Sequence, residues 1–142
     1  MLPKKSKFIK KIIRNADSRG EIISLIDQKT SNISIIKSSA GSIRSNHFHK
    51  KDWHYMYILN GKMDYFYKKN NINYQMNLKK GDLIFTPPKE LHATFFPVET
   101  TMIVASKNPR DKETYERDTV RLDFIDISNI KSIKKNAKKI KL

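Results

Sequence analysis

Nine short segments with strand character follow one another between residues 21 and 106, and this succession leaves few folds open. They run over 21–26, 32–37, 42–49, 53–59, 62–67, 72–77, 82–86, 92–96 and 101–106. Each is rich in Ile, Tyr, Phe or Val and is bounded by Gly, Pro, Asn or Lys clusters, which predicts an antiparallel sandwich or barrel. Asn60-Gly61, set between two apolar runs, predicts a tight hairpin turn. Lys68 to Asn71 and Lys79 to Asp82 read as two further turns. Helical periodicity is confined to the end, where Ile127, Ile130, Ile133, Ala137 and Ile140 fall on one face. The expected class is all-β, followed by a short C-terminal helix or basic tail.

The charge distribution divides the chain further. The 142 residues fit one domain, and their net charge of +15 is uneven. Residues 1–14 carry six Lys or Arg and no acid; residues 129–142 carry six Lys and no acid. The stretch between them is nearly balanced. The expected organisation is a basic N-terminal arm over 1–14, a barrel domain over 15–125 and a basic amphipathic tail over 126–142. Because the excess sits on the tails, it reads as solvated lysine, and nucleic acid is not an expected partner. No apolar run approaches the ~18 residues of a membrane span, and the N-terminus lacks the apolar region of a secretory signal. Cysteine is absent, which excludes disulfides and thiolate ligands. A cytoplasmic protein is expected.

The chemistry-bearing residues are the four histidines, His47, His49, His54 and His92. His47 and His49 are two apart, so on a strand they project from one face. His54 opens the next strand-like run, and His92 follows a Pro-rich turn. Neutral imidazoles converging inside a barrel bind a divalent transition metal, with Fe, Mn, Ni, Co and Zn all open. Four histidines close a tetrahedral zinc shell but leave two positions free on a six-coordinate ion. Asp52 shares parity with His54 and is a competing ligand or a supporting carboxylate.

These residues resemble the cupin superfamily. Its first motif is Gly, five residues, His-x-His, a gap of three or four, Glu, six residues, Gly. The string from Gly41 through His47 and His49 to Gly61 matches, with His54 at the Glu position. In the second motif, Gly81, Pro87 and His92 fall at the family's intervals, while Lys89 replaces a Gly and Phe96 an Asn. The resemblance implies a double-stranded β-helix, or jelly-roll barrel, with a metal held by His47, His49, His54 and His92. A turn with Lys89 at the Gly position is not expected to rely on the positive φ that Gly adopts freely.

Asp17-Ser18-Arg19-Gly20 and Arg44-Ser45-Asn46-His47-Phe48-His49 also resemble segments of cupin sugar ketoisomerases and epimerases. That likeness implies proton transfer beside a keto group, with His and Tyr as acid and base and generally no metal. The leading expectation is a metal-binding cupin enzyme acting on a small oxygenated substrate, a sugar or keto acid. Its reaction is metal-assisted isomerisation, epimerisation or oxidative cleavage by a dioxygenase. The alternatives are a non-catalytic ligand-binding module and a metal-independent nucleotide-sugar isomerase or epimerase. Arg44 is expected to orient an anionic group, and Tyr65 or Tyr67 to act as acid or base. Parity turns Met56 and Ile58 inward with His54, and Tyr55 and Tyr57 outward, compatible with a homodimer. Residues 108–121, including Tyr115, Arg117 and Arg121, read as a salt-bridged surface.

Overall fold

The computed structural model describes residues 1–142. In chain order the elements are β1 (Lys7–Ile9), β2 (Ile12–Asp17), β3 (Gly20–Ser24), β4 (Asn32–Ser38), β5 (Ile43–His49), β6 (His54–Asn60) and β7 (Lys62–Lys69). They continue with β8 (Ile72–Lys79), β9 (Leu83–Thr86), β10 (Leu91–Phe95), β11 (Thr100–Ser106), α1 (Lys112–Asp118), β12 (Thr119–Arg121), α2 (Ile130–Asn136) and β13 (Lys138–Lys139). One sheet has the order β1-β9-β6-β11-β4 and a second the order β12-β5-β10-β7-β8-β13. Strands β2 and β3 pair only with each other.

Alternation within the strands explains how the two sheets meet. Met56 and Ile58 from β6 and Met102 and Val104 from β11 face Met63, Tyr65, Tyr67, Met76 and Leu78 from β7 and β8. All are buried, so the core lies between the sheets, as in a jelly roll. Tyr55 points the other way and packs with Trp53, Leu83 and Phe85 under Leu2, Ile9 and Leu25. The outer face of the second sheet is covered by Phe124, Ile125, Ile130, Ile133 and Ala137. Of the five periodic C-terminal residues, Ile130, Ile133 and Ala137 are used as the sequence suggests, over a helix of only seven residues, whereas Ile127 is 83% exposed and Ile140 packs on the core between the sheets. Hairpin closure after β6 depends on Gly61: its φ is 99°, and a Cβ there would lie 2.4 Å from Thr100 Oγ1.

Both basic termini belong to the fold. β1 pairs antiparallel with β9, and β13 pairs parallel with β8 at Tyr74 and Gln75. Residues 108–121, which the sequence reads as a salt-bridged surface, contain the helix α1 and the strand β12. The carboxylate of Asp111 caps the helix, accepting from Thr114 N at 3.0 Å.

Candidate active site

The four histidines meet between the sheets. His47 and His49 lie on one face of β5, and His92 on β10 stands in register with His47. His54, at the start of β6, reaches across from the facing sheet. Ring centroids are 4.6 Å apart for His47–His49, 4.8 Å for His47–His92, 5.7 Å for His49–His54 and 5.4 Å for His54–His92. A bulge aims this cluster: His92 pairs with His47, but Ala93 pairs with Ser45, leaving Asn46 extra. Ser45 and Asn46 take φ values of 73° and 54°, conformations that cost free energy outside glycine. Asn46 holds the bulge by exchanging two hydrogen bonds with the Ile125 backbone, at 2.9 and 3.0 Å.

Burial keeps the imidazoles neutral. It drives His47 down to about 2, with further lowering from His92 and His49. It takes His49 and His92 each to about 4 and His54 well below its ordinary value. Asp118 opposes the shift at His49, its carboxylate lying 3.6 Å from Nδ1. The tautomer of His49 follows from Thr119. That hydroxyl donates its one proton to the Tyr115 carbonyl at 2.6 Å, so it accepts from His49 Nδ1–H at 3.3 Å. His49 Nε2 therefore carries the free lone pair. For His92, Nδ1–H donates to the Glu90 carbonyl at 3.0 Å, and Nε2 is buried with no partner.

A cavity of about 120 Å³ opens over the cluster, lined by His47, His49, His54, Arg44, Arg110 and Tyr115 among others. The Tyr115 ring lies 5.4 Å from His49 and 6.3 Å from His47. Arg110 sits over that ring, 4.9 Å from its centroid, and no protein group accepts a hydrogen bond from its guanidinium. The other arginines are all engaged; Arg44 donates to Ser38 Oγ at 2.8 Å and to the Lys37 carbonyl at 2.9 Å.

Several expected roles change in this geometry. Tyr65 is fully buried behind His92, with its hydroxyl bonded to Ser6 and Thr86, and burial pushes it far above the usual phenol range. Tyr67 stacks on Tyr74 at 5.0 Å and is pushed up to about 12 by burial. Neither lines the cavity, so the phenol that faces it is Tyr115. Tyr115 sits on α1, whose Arg117 pairs with Glu113 as a surface residue does. Its neighbour Asp118 makes the contact to His49 that no local pattern encodes. The Asp52 carboxylate accepts from Asn108 N at 2.9 Å, its backbone N–H donates to the Asp118 carboxylate at 3.1 Å, and burial raises its carboxyl to about 6. His47, His49 and His92 have ligand atoms within 4.8 Å of one another, a set that omits His54. Lys89 does adopt a left-handed φ of 64°, against expectation, held by its N–H donating to the His49 carbonyl at 2.6 Å.

No protein-family model and no curated protein matches the chain. Solved structures do resemble it. The sugar 3,4-ketoisomerase QdtA from Thermoanaerobacterium thermosaccharolyticum, in complex with TDP, is 19% identical, with a TM-score of 0.67 over 94% of this chain and 98% of that one. A 3,4-ketoisomerase from Helicobacter canadensis is 14% identical, with a TM-score of 0.68 over 91% of this chain and 97% of that one. The RmlC epimerase of Mycobacterium tuberculosis is 13% identical, with a TM-score of 0.66 over 84% of this chain and 69% of that one. Together with the two packed sheets, these likenesses identify the fold as the cupin-type jelly-roll barrel.

Proposed function

We propose that the chain is an isomerase or epimerase that moves a proton beside the keto group of a nucleotide-linked sugar. The observation that carries this reading is His49: Nδ1 is anchored by Thr119 and Asp118, Nε2 is free, and Tyr115 faces it across the cavity. A neutral imidazole so oriented takes a proton from the carbon next to the carbonyl. The C–H electron pair becomes the C=C bond of an enolate, the imidazolium is stabilised by Asp118, and Tyr115 O–H faces the enolate oxygen. If the neighbouring hydroxyl passes its proton to the enolate oxygen and the imidazolium returns its proton to the former carbonyl carbon, the keto group moves one carbon and His49 is again neutral. Protonation of the original carbon on its other face inverts it. The unpartnered guanidinium of Arg110 matches a diphosphate. The solved structures similar to this chain include TDP-sugar ketoisomerases, one bound to TDP-4-keto-6-deoxyglucose, which supports the substrate class.

The test is deuterium wash-in from D2O into TDP-4-keto-6-deoxyglucose, followed by NMR. Exchange beside the keto group is expected, and its loss in His49→Gln. No exchange by the native chain overturns the reading for this substrate.

A metal-assisted version has one observation in its favour. The buried, unpartnered Nε2 of His92 is a ligand atom without a ligand, and the chemistry of the His47, His49 and His92 set fits a divalent transition ion. These three residues would hold it, and the ion would polarise the substrate's oxygen. Chelator-treated protein separates the two versions: full exchange without metal supports proton transfer alone, and exchange restored only by Mn(II), Fe(II) or Ni(II) supports the ion.

The proposed assembly is a homodimer. Ile33 and Ile35 project from β4, the end strand of its sheet, into solvent, as do Ile12, Ile13 and Ile22 on the β2–β3 ribbon. A second copy related by a two-fold axis sets the same isoleucine-bearing face against this one, so that each covers the other.

A further inference from the structure

Ser6 is buried to 3% exposure between two exposed lysines, Lys5 and Lys7, and ends in the molecule's interior. Its N–H donates to Glu90 Oε1 at 2.9 Å, and its hydroxyl donates to the same oxygen. Ser6 Oγ in turn lies 2.6 Å from Tyr65 OH, which lies 2.8 Å from Thr86 Oγ1. With the Ser6 hydroxyl donating to Glu90, the order is fixed: Thr86 donates to Tyr65, Tyr65 to Ser6, and Ser6 to the carboxylate. The other end of Glu90, its peptide carbonyl, accepts from His92 Nδ1–H at 3.0 Å. The Tyr65 ring stacks on His92 at 6.0 Å and 12°. Glu90 also follows Lys89, whose left-handed backbone is tied to β5 by its N–H donating to the His49 carbonyl at 2.6 Å.

We infer that Ser6 is a positioning residue: the N-terminal strand is a strap that, through Glu90, holds His92 as its Nδ1–H tautomer and leaves Nε2 as the free nitrogen of the site. This rests on the proposed function only in treating His92 as part of the working cluster. The arm read from the sequence as a solvated basic tail thereby sets the protonation pattern of a residue 86 positions away in sequence.

The experiment uses the full chain with 15N-labelled histidine and long-range proton–nitrogen spectra of the imidazoles. Native protein is expected to show His92 as a single tautomer, protonated at Nδ1. Ser6→Ala is expected to split it into two tautomers and to lower kcat for deuterium exchange by ~10-fold, with KM within about 2-fold. Ser6→Thr is expected to restore both. If Ser6→Ala does not fold, Glu90→Gln makes the same measurement with the carboxylate charge removed. A single Nδ1–H tautomer retained in a folded Ser6→Ala or Glu90→Gln chain overturns the strap. Failure of the native chain to turn over substrate leaves the tautomer readout intact, so the two failures are distinguishable.

Discussion

Residues 12–38 and 43–106 carry similar apolar patterns and meet opposite surroundings. In the second region, Ile58, Met63 and Ile84 are fully buried between two sheets. In the first, Ile33 is 70% exposed, and Ile13 and Ile22 are about as open. The difference is not hydrophobicity but what stands opposite. β6 and β11 face β7 and β8 across the core, whereas β2 and β3 only pair side by side with each other. An isolated two-stranded ribbon is marginal in water. Alternation therefore encodes a face, while topology decides whether the same chain covers it.

The sharpest test of the interior region is chemical. His49→Gln is expected to lower deuterium exchange by ~10²–10⁴-fold, the span of a lost general base. Asp118→Asn is expected to fall in the same direction, because it leaves the tautomer contact to Thr119 but removes the charge. Ile33→Lys, in the outer region, should leave per-site exchange within ~2-fold of native. Equal losses in both regions would erase the distinction.

Between pH 6 and 5, acid is expected to act on the interior. The four histidines have folded values below their unfolded ones, so below about pH 6.5 the unfolded chain binds protons that the folded chain refuses. Their stabilisation is present above that pH and is lost as pH falls. Asp52, raised to about 6, and Glu90, also raised, work in the opposite sense. The four imidazoles outnumber these two carboxyls, so net proton uptake favours unfolding between pH 6 and 5, at about 1.4 kcal/mol per pH unit for each net proton. Urea unfolding of chelator-treated protein at these two pH values measures it. A flat profile would mean that the imidazoles are not buried as described.

The outer region is tested by mass. Light scattering should give twice the chain mass for native protein, and Ile33→Lys with Ile35→Lys should weaken association by ~100-fold or more. A native monomer would leave the exposed isoleucines without the proposed cover.

Much of the barrel is legible because each of its strands announces itself locally. All nine expected segments occur, with ends shifted by a few residues. The four histidines are legible for the same reason: spacing on β5 and motif position on β10 bring them together. What escapes is carried by distant contacts. β1 is three residues among lysines, and its place depends on backbone pairing with β9 and on Ser6 reaching Glu90. α1 buries no residue, and only the Asp111 cap signals it, yet it delivers Tyr115 and Asp118 to the site. Tyr65 and Tyr67 have the right chemistry on the right strand, but that strand turns them into the core rather than the cavity.

The smallest expected effect separates two positive-φ positions that look alike. Gly61 and Lys89 both lie in the left-handed half of the backbone map, at 99° and 64°. At Gly61 a Cβ would strike Thr100 Oγ1 at 2.4 Å and the Glu99 carbonyl at 2.6 Å, so Gly61→Ala is expected to destabilise by at least ~2 kcal/mol. At Lys89 the side chain is exposed, and the left-handed conformation itself costs free energy. Lys89→Gly removes that cost and adds unfolded-state entropy, for a net stabilisation of about 0.5 kcal/mol. The sign carries the information. A stabilised Lys89→Gly chain with unchanged His92 tautomer would mean that the turn needs only relief of strain. A stabilised chain whose His92 tautomer splits would mean that a stiff lysine backbone helps Ser6 keep the Glu90 carbonyl in place.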